Sequence, residues 1–230
     1  MRRIHSLLAV QSVVAILVSI NRLGTWTLGY VLPNEFLRWV DFNNMLVLPL
    51  ISLVAFYLLK KTIEYDSPAR DGKGHLAINL VFIVGIYLLA SSYGDHEVTN
   101  YLHVRFCLNE PSSDLCRIVI FNDDEFSHWI FFTGFVMMNA ALLFLQTLFP
   151  NKEQLAGKDI TLLVVNSVFL GAGVFANLGF EEIGLDLYVV ALLAILSTYL
   201  LWKRGRQPLF IYYISAYWLG LLASIIAQAV

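Results

Sequence analysis

The chain has 230 residues, 58% of them hydrophobic and only 14% charged, with a mean hydropathy of +0.69. A soluble domain carries roughly 25% charged residues, so too little polar surface is present to coat a water-soluble globule. The 15 basic and 17 acidic residues also lack the basic excess of a nucleic-acid binder, which leaves one all-α, multipass membrane domain over residues 1–230 as the expected class.

A bilayer-crossing helix needs about 20 mainly apolar residues. Seven stretches meet that requirement: Ser6–Gly24, Asn44–Leu59, Leu76–Tyr93, Phe126–Phe149, Ile160–Gly179, Leu185–Trp202 and Leu209–Val230. Their apolar runs are continuous instead of alternating, which excludes barrel strands. Pro33, Pro68, Pro111, Pro150 and Pro208 fall between the spans and punctuate them.

Arg2 and Arg3 ahead of Leu7–Ile20 also fit a signal peptide, but no small-residue cleavage site follows, so the first helix is expected to be retained. Between the first two spans, Asn34–Phe42 sets Phe36, Leu37, Trp39, Val40 and Phe42 around Glu35, Arg38 and Asp41. With Asn34 as a cap this predicts a short interfacial helix, the alternative being an irregular loop with aromatic anchors.

Orientation follows from the loop charges. The amino terminus and every second loop hold 11 of the 15 basic residues, giving that face +6 and the opposite face −8. The amino terminus is expected in the cytoplasm and the carboxyl terminus outside, in the plasma (inner) membrane.

Most polar chemistry falls on the outer side, around a loop expected over residues 94–125. Ser92, His96, Asn100 and His103 are spaced four, four and three apart, so they share one face, within roughly 80°, of a continued third helix. Asp124 and His128 are four apart at the outer end of the fourth span. Asn166, Asn177 and Glu181 form a stripe on the fifth, where Gly171 and Gly173 allow close backbone approach, and Glu182 and Asp186 follow. Asp123, Asp124 and Glu125 also suit a helix amino terminus electrostatically. Imidazoles and carboxylates from several helices can bind a divalent metal and leave an open position for water. Without a metal they can act as general base and acid.

Cys107 and Cys116 share the outer loop and are expected to form a disulfide there. Two free thiols are the alternative, with thiolate ligation a third. Tyr212, Tyr213, Tyr217 and Trp218 read as packing and interface aromatics, and the last span has no lysine for a retinal Schiff base.

Ser92-x3-His96 at the end of one helix and Asp124 at the start of the next resembles part of the CREST membrane hydrolases, which include alkaline ceramidases and progestin/adipoQ-type receptors. The resemblance covers about 35 residues and implies a zinc-dependent amide or ester hydrolase acting on lipid. The family's His-x3-His in its last span has no counterpart, since Ile211–Val230 holds no histidine. The acidic face here is also expected outside, whereas that family's zinc site is usually cytosolic. Glu181-Glu182 and His96-x3-Asn100 resemble CAAX-processing and bacteriocin-immunity proteases with the order reversed, and Asp186 stands where that family has Arg. The chain is assigned to neither.

The expected function is metal-assisted hydrolysis or transfer on a lipid or lipid-linked substrate at an outward-facing site. His96, Asp124 and His128 are the expected ligands of a divalent metal, zinc by donor type. His103 or Glu181 serves as a further ligand or proton shuttle, with Glu182 and Ser92 behind them. Arg22 and Asn100 are placed toward the substrate, Arg22 pairing with the acids or holding an anionic head group. The alternatives are a non-enzymatic cation or metal transporter or sensor, whose acidic face concentrates cations, and an assembly subunit of a membrane complex.

Overall fold

The computed structural model describes residues 1–65, 72–181 and 184–229. Among these, seven helices are long and apolar enough to cross a membrane: α1 (Arg2–Leu23), α2 (Trp39–Ile63), α3 (Lys73–Cys107), α4 (Asp114–Leu148), α5 (Gly157–Gly179), α6 (Leu185–Arg204) and α7 (Pro208–Gln228). The protein is an all-helical multipass bundle, and no strand forms among the described residues. One end, here the basic end, gathers Met1, Lys60, His75 and Asp159. The polar end gathers Arg22, His96 and Asp123.

The polar ends of α3 and α4 run further than the apolar runs indicate. Each helix has 35 residues, about 50 Å at 1.5 Å per residue, against a hydrocarbon core of about 30 Å. Both therefore project beyond the bilayer at the same end. The loop expected over 94–125 is accordingly a helical hairpin, with non-helical residues confined to 108–113. Ser113 Oγ caps α4 by accepting the Cys116 N–H at 3.2 Å. A disulfide joins Cys107 to Cys116 across the tip, with the two Cα atoms 5.3 Å apart.

The interfacial helix expected over 34–42 is corrected to a clasped loop followed by the first turn of α2. Asn34 Oδ1 accepts the Phe36 N–H at 3.1 Å, two residues on, and so makes a turn where a cap was expected. Val31, Trp39 and Val40 N–H groups donate to the carbonyls of Leu37, Gly29 and Thr27, folding the loop back on itself. From Trp39 the chain is helical without a break into α2.

Packing around the bundle runs α2, α1, α5, α7, α6, α4, α3. The tightest pair is α3 with α4, where Gly85 and Gly134 bring the backbones together. A Cβ on Gly85 would lie 2.7 Å from Met138 N. At the α5–α7 contact Gly171 and Gly220 play the same part, each with backbone of the other helix near its absent Cβ. Gly173, expected to join Gly171 in this role, meets nothing within 4 Å because it points off the contact face. Leu142, Leu143, Leu145, Leu193 and Phe210 are buried at the centre, and Tyr212, Tyr213 and Tyr217 pack among them. α2 and α3 meet chiefly near their polar ends, leaving a seam with two clefts.

Among the described residues four π-helical turns interrupt or end the helices: Asn43–Val47 in α2, His103–Cys107 in α3, Asn122–Phe126 in α4 and Asn177–Glu181 at the end of α5. All four lie at the polar end. Such turns are rare and frequent at functional sites.

Candidate metal centre

The site is built where α3 and α4 leave the bilayer side by side. Asp123 lies in the α4 π turn and is only 1% exposed. His103 Nδ1 approaches its Oδ2 at 2.8 Å, and Asn100 Nδ2 donates to the same oxygen at 3.4 Å. His96 Nδ1 lies 3.1 Å from Oδ1, close but off the hydrogen-bonding direction, so this buried oxygen has no hydrogen-bond partner. Asp124 Oδ1 stands 3.8 Å from His103 Nδ1, and its side chain is more than half exposed. One ligand atom each from His103, Asp123 and Asp124 lie within 4.8 Å of one another, a spacing that can hold a metal ion.

The ligand set read from the sequence is therefore rearranged. His96 faces Asp123, and His128 packs against the His96 ring at a centroid distance of 5.0 Å with its Nδ1 3.0 Å from the Asp124 carbonyl oxygen. Asp124 belongs to the close group with His103, the expected further ligand or proton shuttle, and with Asp123, while His96 and His128 stand outside it. Asp123, one of three consecutive acids that suit a helix amino terminus, is the buried centre of the cluster. The reason is local: a π turn closes i→i+5 bonds, so the phase of a regular helix does not carry through Asn122–Phe126.

Other expected site residues lie elsewhere. The Ser92 hydroxyl donates to the Ser127 carbonyl at 2.9 Å, fixing α3 to α4 in a buried position. Asn100 supports Asp123 from within the cluster. Arg22 pairs with Glu97, whose carboxylate is buried next to His96 in sequence but directed to the other side of α3. Asn166 accepts the Ser12 hydroxyl at 2.8 Å and ties α5 to α1, while Asn177 Nδ2 donates to its own helix at the Gly173 carbonyl. Asp186 is buried and accepts the neighbouring Leu187 N–H at 2.7 Å. Glu181 ends the α5 π turn, its side chain lying outside the described part. Glu182 lies outside the described residues.

A cleft of about 360 Å³ opens beside the cluster in the α2–α3 seam, lined by Phe36, Leu37, Met45, Tyr101, Arg105 and Glu97 among others. It lies on the Glu97 and Tyr101 face of α3, not on the His96 and His103 face. At its rim Arg38 forms a two-pronged ion pair with Asp41, at 2.7 and 2.8 Å. The hydrogen bond to Asp41 holds the Arg38 guanidinium above its ordinary pKa despite partial burial. Arg105 donates to the Glu35 carbonyl and the Tyr101 hydroxyl.

The chain matches no protein-family profile, no curated protein and no solved structure. The local likenesses at Ser92, His96 and Asp124 and at Glu181-Glu182 therefore carry no family assignment.

Proposed function

We propose that this membrane protein binds a divalent cation at His103, Asp123 and Asp124 and uses it for hydrolysis or transfer on a lipid or lipid-linked substrate at the membrane surface. One observation supports the reading above the rest. Asp123 Oδ1 is buried with no well-directed hydrogen bond, only the His96 imidazole 3.1 Å away, within a group whose ligand atoms approach to 4.8 Å. An unsatisfied buried carboxylate oxygen costs free energy, and a cation removes that cost. Zinc ligands at about 2.0–2.2 Å in tetrahedral array stand roughly 3.4 Å apart, so side-chain adjustments of about an ångström suffice.

A bound ion of this kind would lower the pKa of its water and polarise a carbonyl or phosphoryl oxygen. The chain's own residues divide the remaining work. Asn100 and His96 hold the Asp123 carboxylate in place, as partners of a metal ligand do. Asp124, on the exposed side, offers a carboxylate to a ligand position or to a proton in transit, and His128 stands next to it. The orientation reading, polar end away from the cytoplasm, belongs to the same proposal.

Metal analysis of detergent-purified protein tests it. The expected result is about one equivalent of a zinc-class ion, cut at least tenfold by Asp123→Asn or His103→Ala. His75→Ala, at the basic end, should leave occupancy unchanged. A metal-free wild-type protein, or occupancy indifferent to both site variants, overturns the metal reading. Metal-dependent cleavage of ester or amide lipid analogues in mixed micelles then separates an enzyme from a cation-binding protein.

A further inference from the structure

The α2–α3 seam holds a second cleft, of about 300 Å³, at the basic end. Tyr57, Lys60 and Lys61 of α2 face Asn79, Phe82 and Ile83 of α3 across it. The two lysines differ in state. Lys60 Nζ lies 2.5 Å from Glu64 Oε1 and is neutralised there. Lys61 sits over the Tyr57 ring, 5.7 Å from its centroid, with no ion pair among the described residues. Asn79 presents a buried Oδ1 without a hydrogen-bond partner, its Nδ2 lying 3.0 Å from His75 Nε2.

The wall of the cleft is apolar and faces out of the bundle, with Ile83 60% exposed. Within the hydrocarbon a gap between two helices is not left empty, because its lining would forfeit dispersion contacts on one side. An acyl chain is what the surroundings supply. Lys61 lies two residues before the end of α2, at the level where a lysine reaches its ammonium to the head groups.

We propose that this cleft binds an anionic phospholipid. Its phosphate is held by the Lys61 ammonium, with the Tyr57 hydroxyl alongside, and one acyl chain lies on Phe82, Ile83 and Ile86. Charge complementarity selects the anionic lipid, since the Lys61 ammonium has no carboxylate partner among the described residues. The acyl surface distinguishes this occupant from a free phosphate ion, which one ammonium at a lipid-facing position holds poorly.

The test uses full-length protein in mixed micelles with dioleoyl phosphatidylglycerol or dioleoyl phosphatidylcholine, and native mass spectrometry counts retained lipid. Wild-type protein should retain one phosphatidylglycerol in preference to phosphatidylcholine. Lys61→Gln should reduce that preference about fivefold, the effect of one lysine at an anionic surface. Ile83→Trp, which fills the cleft from a lipid-facing position, should abolish retention of either lipid there. Equal retention of the two lipids by wild-type protein overturns the proposal, as does a preference unchanged in both variants. Displacement of phosphatidylglycerol by equimolar inorganic phosphate overturns it too, because it shows a site with no acyl component.

Discussion

Glu64 and Asp123 are carboxylates with 1% exposure at opposite ends of the bundle, and each is held by neighbours of a different kind. Burial alone would raise the Glu64 pKa. The hydrogen bonds from Lys60 and His75 outweigh it and hold the carboxyl below its ordinary value of 4.5. A carboxylate depressed in the folded state stabilises it above the ordinary pKa, and the contribution is lost as pH falls through the lowered folded value. Resistance of the detergent-solubilised protein to thermal unfolding should therefore weaken as pH drops below about 4.5, with a flatter profile in Glu64→Gln. At pH 7 that variant should lose about 3–5 kcal/mol, because Lys60 is left charged and buried. The pairing itself was not visible in the sequence, where Lys60, Glu64 and His75 read only as charges on the cytoplasmic side. Asp123 was hidden differently. It stands among three consecutive carboxylates, Asp123, Asp124 and Glu125, and residue type alone does not say which one turns inward. His103 was legible, because Ser92, His96, Asn100 and His103 share a face at regular helical spacing.

At the scale of helices, continuous apolar runs identified all seven spans, but their ends were read from hydropathy and so fell short wherever a helix continues as a polar one. The start of α4, from Asp114 to Glu125, is the main case, since the spacing from Ser92 to His103 already indicates a continued α3. π turns escaped the sequence reading because a single widened turn leaves no periodicity to detect. The close contact of the α3–α4 hairpin rests on two glycines. A Cβ at Gly134 would stand 2.8 Å from the Gly85 carbonyl oxygen and 2.8 Å from Leu89 N. These are backbone atoms, so a side chain there must push the helices apart. Gly134→Leu should destabilise the protein by about 1–3 kcal/mol or more, lowering the temperature at which it loses monodispersity in detergent. The same separation should draw His96 and His103 away from Asp123, so metal content should fall although no ligand has changed. Gly173→Leu, at a position with open space, should do neither.

For the whole molecule, the charge count and the disulfide bear on orientation independently. Basic residues concentrate at the amino-terminal end, 11 of the 15 in the chain, and such loops are retained in the cytoplasm. The Cys107–Cys116 bond stands at the opposite end, and disulfides persist in oxidising compartments. Both arguments support the proposed orientation, in which the candidate centre faces outside and the Lys61 cleft lies against the cytoplasmic leaflet, whose surface is the anionic one. The order of helices around the bundle was not legible in the sequence, since it depends on contacts such as Gly171 with Gly220 that only the packed chain defines. Orientation needs no packing and rests on the loops alone. With seven spans and the amino terminus inside, the carboxyl terminus emerges outside. Alkaline phosphatase fused after Val230 should then be active, and a fluorescent protein that matures only in the cytoplasm should stay dark. Moving the fusion point to the loop after α6, near Arg206, should reverse both signals. A bright fluorescent fusion at Val230 would turn the bundle over. The His103–Asp123–Asp124 group would then face the cytoplasm, and the positive end would stand outside against the rule that governs short loops.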